Sequence, residues 1–275
     1  MNSAPTYVTT CLNVIALFTQ YNAGAQQMPD LPTLLKDVAA HQRLLDQIRE
    51  NYTYHRIRQV DDLDKNGAVT KTETIEREVF FVNGRQIGRI VKKNGVPISP
   101  SEEKAEQERI RKQVESFSKL PDAAGTGGRV GLIAEILKVV NVSNPRRLQL
   151  NGRATLAFDF AGDRHAAAHG MEQNAEKKSA GTVWIDEADR QVARLEVRLD
   201  DNFHVGGFLG SVQKGTRIVV EQSPIGDGLW METANEQHVE ARLVVKRYRQ
   251  NVHIKDVDFK RFDVESLQKI SPPSR

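Results

Sequence analysis

Asp61–Thr74 reads DDLDKNGAVTKTET, and its reading decides the fold. From Asp62 it follows the calcium loop of an EF-hand. Asp62, Asp64, Asn66, the Ala68 carbonyl, Thr70 and Glu73 stand at ligand positions, with Gly67 at the sharp turn. Such a loop needs a helix on each side, and the flanks here have period two instead. In NYTYHRIRQ (Asn51–Gln59), Tyr52, Tyr54, Arg56 and Arg58 alternate with Thr53, His55 and Ile57. TKTETIEREVFFVN (Thr70–Asn83) alternates again and is rich in Thr, Val and Phe, which suit a pleated surface. Thr74 stands where an exit helix would begin with an apolar residue, and no second loop is available to pair with. Asn66-Gly67 is a strong hairpin dipeptide. The stretch is therefore expected to be a β-hairpin with acids beside its turn, calcium binding being the alternative.

Outward from this hairpin the elements fall into order. Asn83-Gly84 signals a second tight turn, RQIGRIVKK (Arg85–Lys93) a third strand, and Asn94-Gly95 its end, so residues 51–93 read as an antiparallel meander. Upstream, MPDLPTLLKDVAAHQRLLDQIREN reads as a helix started by Asp30 and Pro32, with Leu34, Leu35, Val38, Leu45 and Ile48 in one apolar stripe and His41 packed near it. Downstream, Ser99 and Glu102 form a capping box with Pro100 at the first position, opening a mostly solvated helix that runs to Phe117. LPDAAGTGG (Leu120–Gly128) is a link that lacks the Lys-Ser/Thr of a phosphate loop.

RVGLIAEILKVVNV (Arg129–Val142) is apolar on every side and too short to span a bilayer, so it is expected to be a helix that is buried or that lids an apolar cavity. Leu132, Ile133, Ile136, Leu137 and Val140 are its candidate cavity residues, and Trp184 and Trp230 are candidate core or cavity-wall residues. From Leu148 the pattern is strands: RATLAFDFAG, a hairpin GTVWIDEADRQVARLEVRLDD turning at Glu187–Arg190, then KGTRIVVEQSP, GLWMETANEQHVEARLVVKRYRQ and VHIKDVDFKRF. Tight turns without long crossovers argue for antiparallel pairing. The sum is an α+β fold, a large, strongly curved antiparallel sheet of about nine to eleven strands in a half-barrel, covered on its concave side by helices. Such a sheet encloses apolar volume fit for a hydrophobic ligand.

Composition narrows the function. The 275 residues are 39% hydrophobic and 27% charged, with 39 basic against 36 acidic residues, so no basic excess points to nucleic acid. No apolar run is long enough for a membrane-spanning helix. Residues 1–25 read as a signal peptide with an apolar centre, CLNVIALF, and small residues Ala23-Gly24-Ala25 before the cut, although no Lys or Arg precedes the centre. The only cysteine, Cys11, lies inside it, which leaves a mature chain without disulfides, thiolate sites or a thiol nucleophile. Residues 26–270 are expected to form one domain, a monomer working in the periplasm or cell envelope.

No catalytic constellation stands out. His165 and His169 in HAAAH have helix-face spacing, but Ala166 replaces the Glu of a zinc protease and no third ligand is evident; the segment reads as a linker running into a strand. There is no G-x-S-x-G, and GGFLG (Gly206–Gly210) lacks the dinucleotide pattern. No enzyme activity and no cofactor are expected.

Several segments together resemble a known class. They are NYTYHRIRQ, TETIEREVFFVNGRQIGRIVKKNGVPISPSEEKAEQERIRKQV, NPRRLQLNGRATLAFDF, AGTVWIDEADRQVARLEV and GLWMETANEQHVEARLVV. Across residues 30–265 the chain resembles uncharacterised exported bacterial proteins similar to the outer-membrane lipoprotein-sorting, LolA/LolB-like family. The resemblance implies an open, curved sheet lidded by helices, whose cavity holds the acyl chains of a lipoprotein or lipid, with envelope proteins as further partners. It assigns no ligand contact to a numbered residue. Three readings follow: a non-enzymatic periplasmic carrier or chaperone for a hydrophobic ligand, a calcium-binding protein acting through residues 62–73, and a structural or partner-binding envelope domain without a ligand.

Overall fold

The structure is a computed structural model that describes residues 28–121, 140–166, 170–205, 210–226, 228–244 and 246–261. Helix α1 (Leu31–Arg49) starts where the sequence places it: the Asp30 carboxylate accepts from the Thr33 backbone N–H at 3.1 Å, and Pro32 sits in the first turn. The meander follows as β1 (Tyr52–Leu63), β2 (Val69–Val82) and β3 (Arg85–Lys93), extended by a short β4 (Val96–Pro97). Helix α2 (Pro100–Ser118) carries the expected capping box, Ser99 and Glu102 each bonding the other's backbone N–H.

The remaining described elements are strands apart from one short helix. They are β5 (Val140–Leu150), β6 (Arg153–Gly162), helix α3 (Gly170–Glu176), β7 (Ser179–Asp186), β8 (Val192–Leu199), β9 (Phe203–Val205), β10 (Gly210–Val212), β11 (Arg217–Gly226), β12 (Leu229–Leu243) and β13 (Lys246–Arg261). All thirteen described strands join one open sheet in the order β4-β3-β2-β1-β13-β12-β11-β8-β7-β6-β5, with β10 and β9 added alongside the end of β12. Every strand pair is antiparallel, and the sheet is curved. The α+β expectation holds. Three strands of two or three residues, β4, β9 and β10, raise the number above that expected, since segments so short show no period of their own.

Helix α1 lies across one face of the sheet, the inner face below. Leu34 and Val38 are 1% and 0% exposed and pack on Leu156, Phe158, Ile185 and Val192. Farther along, Ile48 covers Tyr52, Tyr54, Val79, Leu229 and Met231. Burying a Leu or Val side chain contributes about 1.5–3 kcal/mol, so these contacts, more than helix propensity, hold α1 in place.

Four sequence expectations change. The Asp61–Thr74 stretch is a hairpin, but its turn is not the two-residue kind. Leu63 pairs with Val69, the Gly67 N–H donates to the Asp64 carbonyl at 3.1 Å, and only Gly67 has a positive φ, 85°. This is a turn followed by a left-handed glycine that bulges the ladder. Asn83-Gly84, Asn94-Gly95 and Asn151-Gly152, with φ of 47° and 74°, 49° and 78°, and 51° and 77°, are the two-residue turns. Second, Val140 and Val142, expected at the end of a helix, begin β5; β-branched valines at alternate positions suit a pleated ladder against β6. Residues 129–139 of that expected helix, with Leu132, Ile133, Ile136 and Leu137, lie outside the described residues. Third, the segment expected to be a linker after His165 contains α3; His169 and most of GGFLG lie outside the described residues. Fourth, His41 is exposed, not packed.

Candidate functional site

Between α1 and β5–β8 the inner face holds an apolar cleft of about 30 Å³. On β5, β6 and β7 its lining comes in pairs spaced two apart, the spacing that puts both side chains on one face, and on β8 the pair is three apart across a bulge at Ala193. Val140 and Val142 come from β5, Phe158 and Phe160 from β6, and Val183 and Ile185 from β7, with Val192 and Leu195 from β8 and Leu35 and Val38 from α1 as the roof. Every lining side chain is apolar, so the cleft offers no proton donor, nucleophile or metal ligand. Gly181 shapes its end. It lies opposite Phe160 in the β6–β7 ladder, and a Cβ there would meet the Phe160 ring at 2.7 Å and the Glu196 carbonyl at 1.8 Å. The missing side chain lets Phe160 lie flat over the strand.

The outer face of the same strands is charged. Arg194 bonds Glu196 at 2.7 Å and pairs with Glu221, and Arg217 reaches Glu196 at 3.0 Å. Along β8, Arg194 and Glu196 alternate with Leu195 and Val197, which pack toward the core, and this fixes which face is wet. Trp184 belongs to this outer face, between Val183 and Ile185, with the Arg194 guanidinium 5.6 Å from its ring centroid. Trp230 is 1% exposed and also lies away from the cleft lining; its Nε1–H donates to Asp189 at 3.0 Å and Arg153 sits 5.4 Å from its ring centroid. Of the candidate cavity residues among the described residues, Val140 lies in the cleft wall. Phe158, Phe160, Val183, Leu35 and Val38 carry no site signal in the sequence, because each reads as ordinary alternation or stripe. The Asn151-Gly152 turn is a local signal that a strand pairing with β6 ends at Leu150.

The calcium-loop residues do not converge. The Asp64 carboxylate accepts from the Asn66 and Ala68 backbone N–H groups at 2.8 and 2.9 Å, closing the turn. Asp62 accepts from Gln250 at 2.7 Å, the Thr70 hydroxyl donates to the Asp62 carbonyl at 3.0 Å, and Glu73 pairs with Lys71 at 2.6 Å. Among the described residues no group of three or more His, Cys, Asp and Glu side chains could hold a metal ion. His165 donates its backbone N–H to Asp163 at 2.8 Å.

Among the described residues no helix is long and apolar enough to cross a membrane. No family model and no curated protein matches the chain. Solved structures similar to it include a Vibrio parahaemolyticus domain provisionally described as outer membrane lipoprotein-sorting, at 10% identity and TM-score 0.41, covering 86% of this chain and 96% of that one. A DUF1329 family protein from Desulfovibrio piger is similar at 12% identity and TM-score 0.35, covering 84% and 93%. MucB, in complex with MucA(peri), is similar at 8% identity and TM-score 0.25, covering 86% and 100%.

Proposed function

We propose that the chain is a non-enzymatic carrier, acting as a monomer in the periplasm or cell envelope, that receives the acyl chain of a lipid or lipoprotein, or a comparable hydrophobic ligand, between α1 and β5–β8. The observation that carries this reading is the cleft whose walls and roof are apolar throughout. At about 30 Å³ it is several times smaller than the ~150 Å³ cavity that admits a benzene ring, so an acyl chain enters only as α1 lifts from the sheet. The helix is attached unevenly. Its Arg49 end is bonded to the Trp230 carbonyl at 3.0 Å, and the next residue, Glu50, accepts from the Gly84 N–H at 3.0 Å. Among the described side chains its Leu31–His41 half meets the sheet through apolar contacts alone. Lifting that half exposes Leu34 and Val38 at about 1.5–3 kcal/mol each, and burying some eight methylenes at about 0.8 kcal/mol each offsets it. The direct test is titration with a fluorescent fatty acid and displacement by palmitate. Saturable binding is expected for the wild type. Val183→Glu in the wall should abolish it, and Glu196→Ala on the outer face should leave it intact. No saturable binding by the wild type overturns the reading and leaves the cleft as a packing seam in a structural or partner-binding domain.

A further inference from the structure

The inner face changes character between its two halves. Under β5–β8 it is apolar; on β1 and β2 it is cationic. Arg56 stands directly opposite Arg77 in the β1–β2 ladder, and Arg58, two residues on, shares their face. Like charges directly opposite one another destabilise a sheet, so this arrangement needs compensation. Arg56 has it: Asp256 on the neighbouring β13 accepts from Nε at 2.7 Å and from Nη2 at 2.6 Å. The nearby Arg109 of α2 has it too, held by Glu106 at 2.7 and 2.6 Å. Arg58 and Arg77 make no hydrogen bond or ion pair with a described residue, and both are half-buried. The other acids of this face are committed, Glu73 to Lys71 and Asp62 to Gln250. Arg77 is held in place by a glycine. Its stem lies across Gly88, where a Cβ would come within 2.9 Å of the Arg77 Cδ. Burial lowers the Arg77 pKa, repulsion by Arg58, Arg109 and Arg56 adds to the shift, and attraction by Glu106, whose carboxylate is bonded to Arg109 and the Ile90 N–H, only partly opposes it; the guanidinium stays cationic.

We infer that Arg58 and Arg77 form an oxyanion subsite that receives the phosphate group of an amphipathic ligand whose tail occupies the apolar cleft. Guanidinium groups bind phosphate with paired, charge-assisted hydrogen bonds, which suits a planar fork better than a point charge. The span fits one molecule. Four strand steps separate β8 from β1, about 19 Å at ~4.8 Å per step and less across a curved sheet. One acyl chain covers about 15 Å, half the hydrocarbon core of a bilayer. The inference rests on the carrier reading for the tail and on the arginines alone for the anion.

The experiment uses two lipids with identical tails, dioleoyl phosphatidic acid and dioleoylglycerol, and inorganic phosphate as a third probe. Binding is read by native mass spectrometry on the full chain and on Arg58→Gln, Arg77→Gln and the double variant. The wild type is expected to prefer phosphatidic acid by at least about 10-fold, one charge-assisted interaction's worth. The double variant should lose that preference and keep dioleoylglycerol binding. Thermal melting in phosphate-free buffer is the folding control: Arg77→Gln should melt no lower than the wild type, because it removes repulsion. Equal affinity of the wild type for both lipids overturns the inference, as does an unchanged preference in the double variant. A melting point several degrees lower for Arg77→Gln also overturns it, since Arg77 would then have a structural partner. If neither lipid binds, the carrier reading fails by itself. The anion site then stands only if inorganic phosphate raises the melting point of the wild type and not of the double variant, and falls if it does not.

Discussion

Asp186 shows what single residues do in this protein. Its side chain is 1% exposed and carries four bonds: Arg153 Nε and Nη2 donate at 2.6 and 3.0 Å, and the Ala188 and Asp189 backbone N–H groups at 3.0 and 2.8 Å. Burial by itself would raise its pKa; the Arg153 and backbone bonds outweigh it and hold the carboxyl below the usual aspartate range. A folded-state pKa below the unfolded one contributes stability that is present above about pH 4 and is lost as pH falls through the folded value. Asp186→Asn should therefore destabilise by about 3 kcal/mol at pH 7, the scale for breaking a buried pair. Denaturant melts from pH 7 down to pH 2 should show the gap to wild type narrowing on the acid side; a constant gap would refute it. The same cluster explains Trp230. Asp189 holds the indole N–H while Arg153 covers the ring, so this residue ties the β7–β8 turn to β12 and β6. Apart from the two bonds within the turn, none of this is legible locally, because Arg153 lies 33 positions from Asp186 and Asp189 lies 41 from Trp230.

At the scale of elements, α2 solves an edge problem. Strand β4 covers only Lys92 and Lys93 of β3, leaving backbone groups that could recruit another chain. Glu106 of α2 accepts from the Ile90 N–H at 2.7 Å, and Arg109 donates to the Gly88 carbonyl at 2.5 Å. The β2–β3 turn returns the service: Asn83 donates to the carbonyls of Phe117, Ser118 and Leu120 at the end of the helix. Glu106→Ala should cost about 2 kcal/mol, the penalty for an unsatisfied buried N–H. The Ile90 amide should exchange with solvent faster in native-state hydrogen exchange while core amides on β6 keep their protection relative to global unfolding. Unchanged exchange at Ile90 would show that the edge is covered in some other way. The helix itself was legible in the capping box and Pro100, because caps are local chemistry. Its docking site was not, since Glu106 and Arg109 look like any solvated pair three apart.

At the scale of the molecule, the first and last described strands meet. Strand β13 lies between β1 and β12, pairing from Tyr52↔Arg261 to Asp62↔Gln250 on one side and from Ala234↔Lys255 to Leu243↔Lys246 on the other. Removing residues 246–275 should therefore split the sheet into two unsupported halves. Circular dichroism melts should show no cooperative transition, and a retained sharp transition would show that the two halves close on each other without β13. Period-two alternation, Asn-Gly turns, the capping box and the α1 stripe rest on neighbours a few positions apart, so the sequence alone determined the meander, helices α1 and α2, the antiparallel pairing and the hairpin expected at Asp61–Thr74. Contacts across the chain decided the rest: which strands adjoin, which face α1 roofs, that Val140 and Val142 join β5, and that Arg58 and Arg77 lie together with no carboxylate of the described residues bonded to either. Side-chain period records which face a residue takes, while its partner across the sheet depends on loop closures that local pattern does not encode.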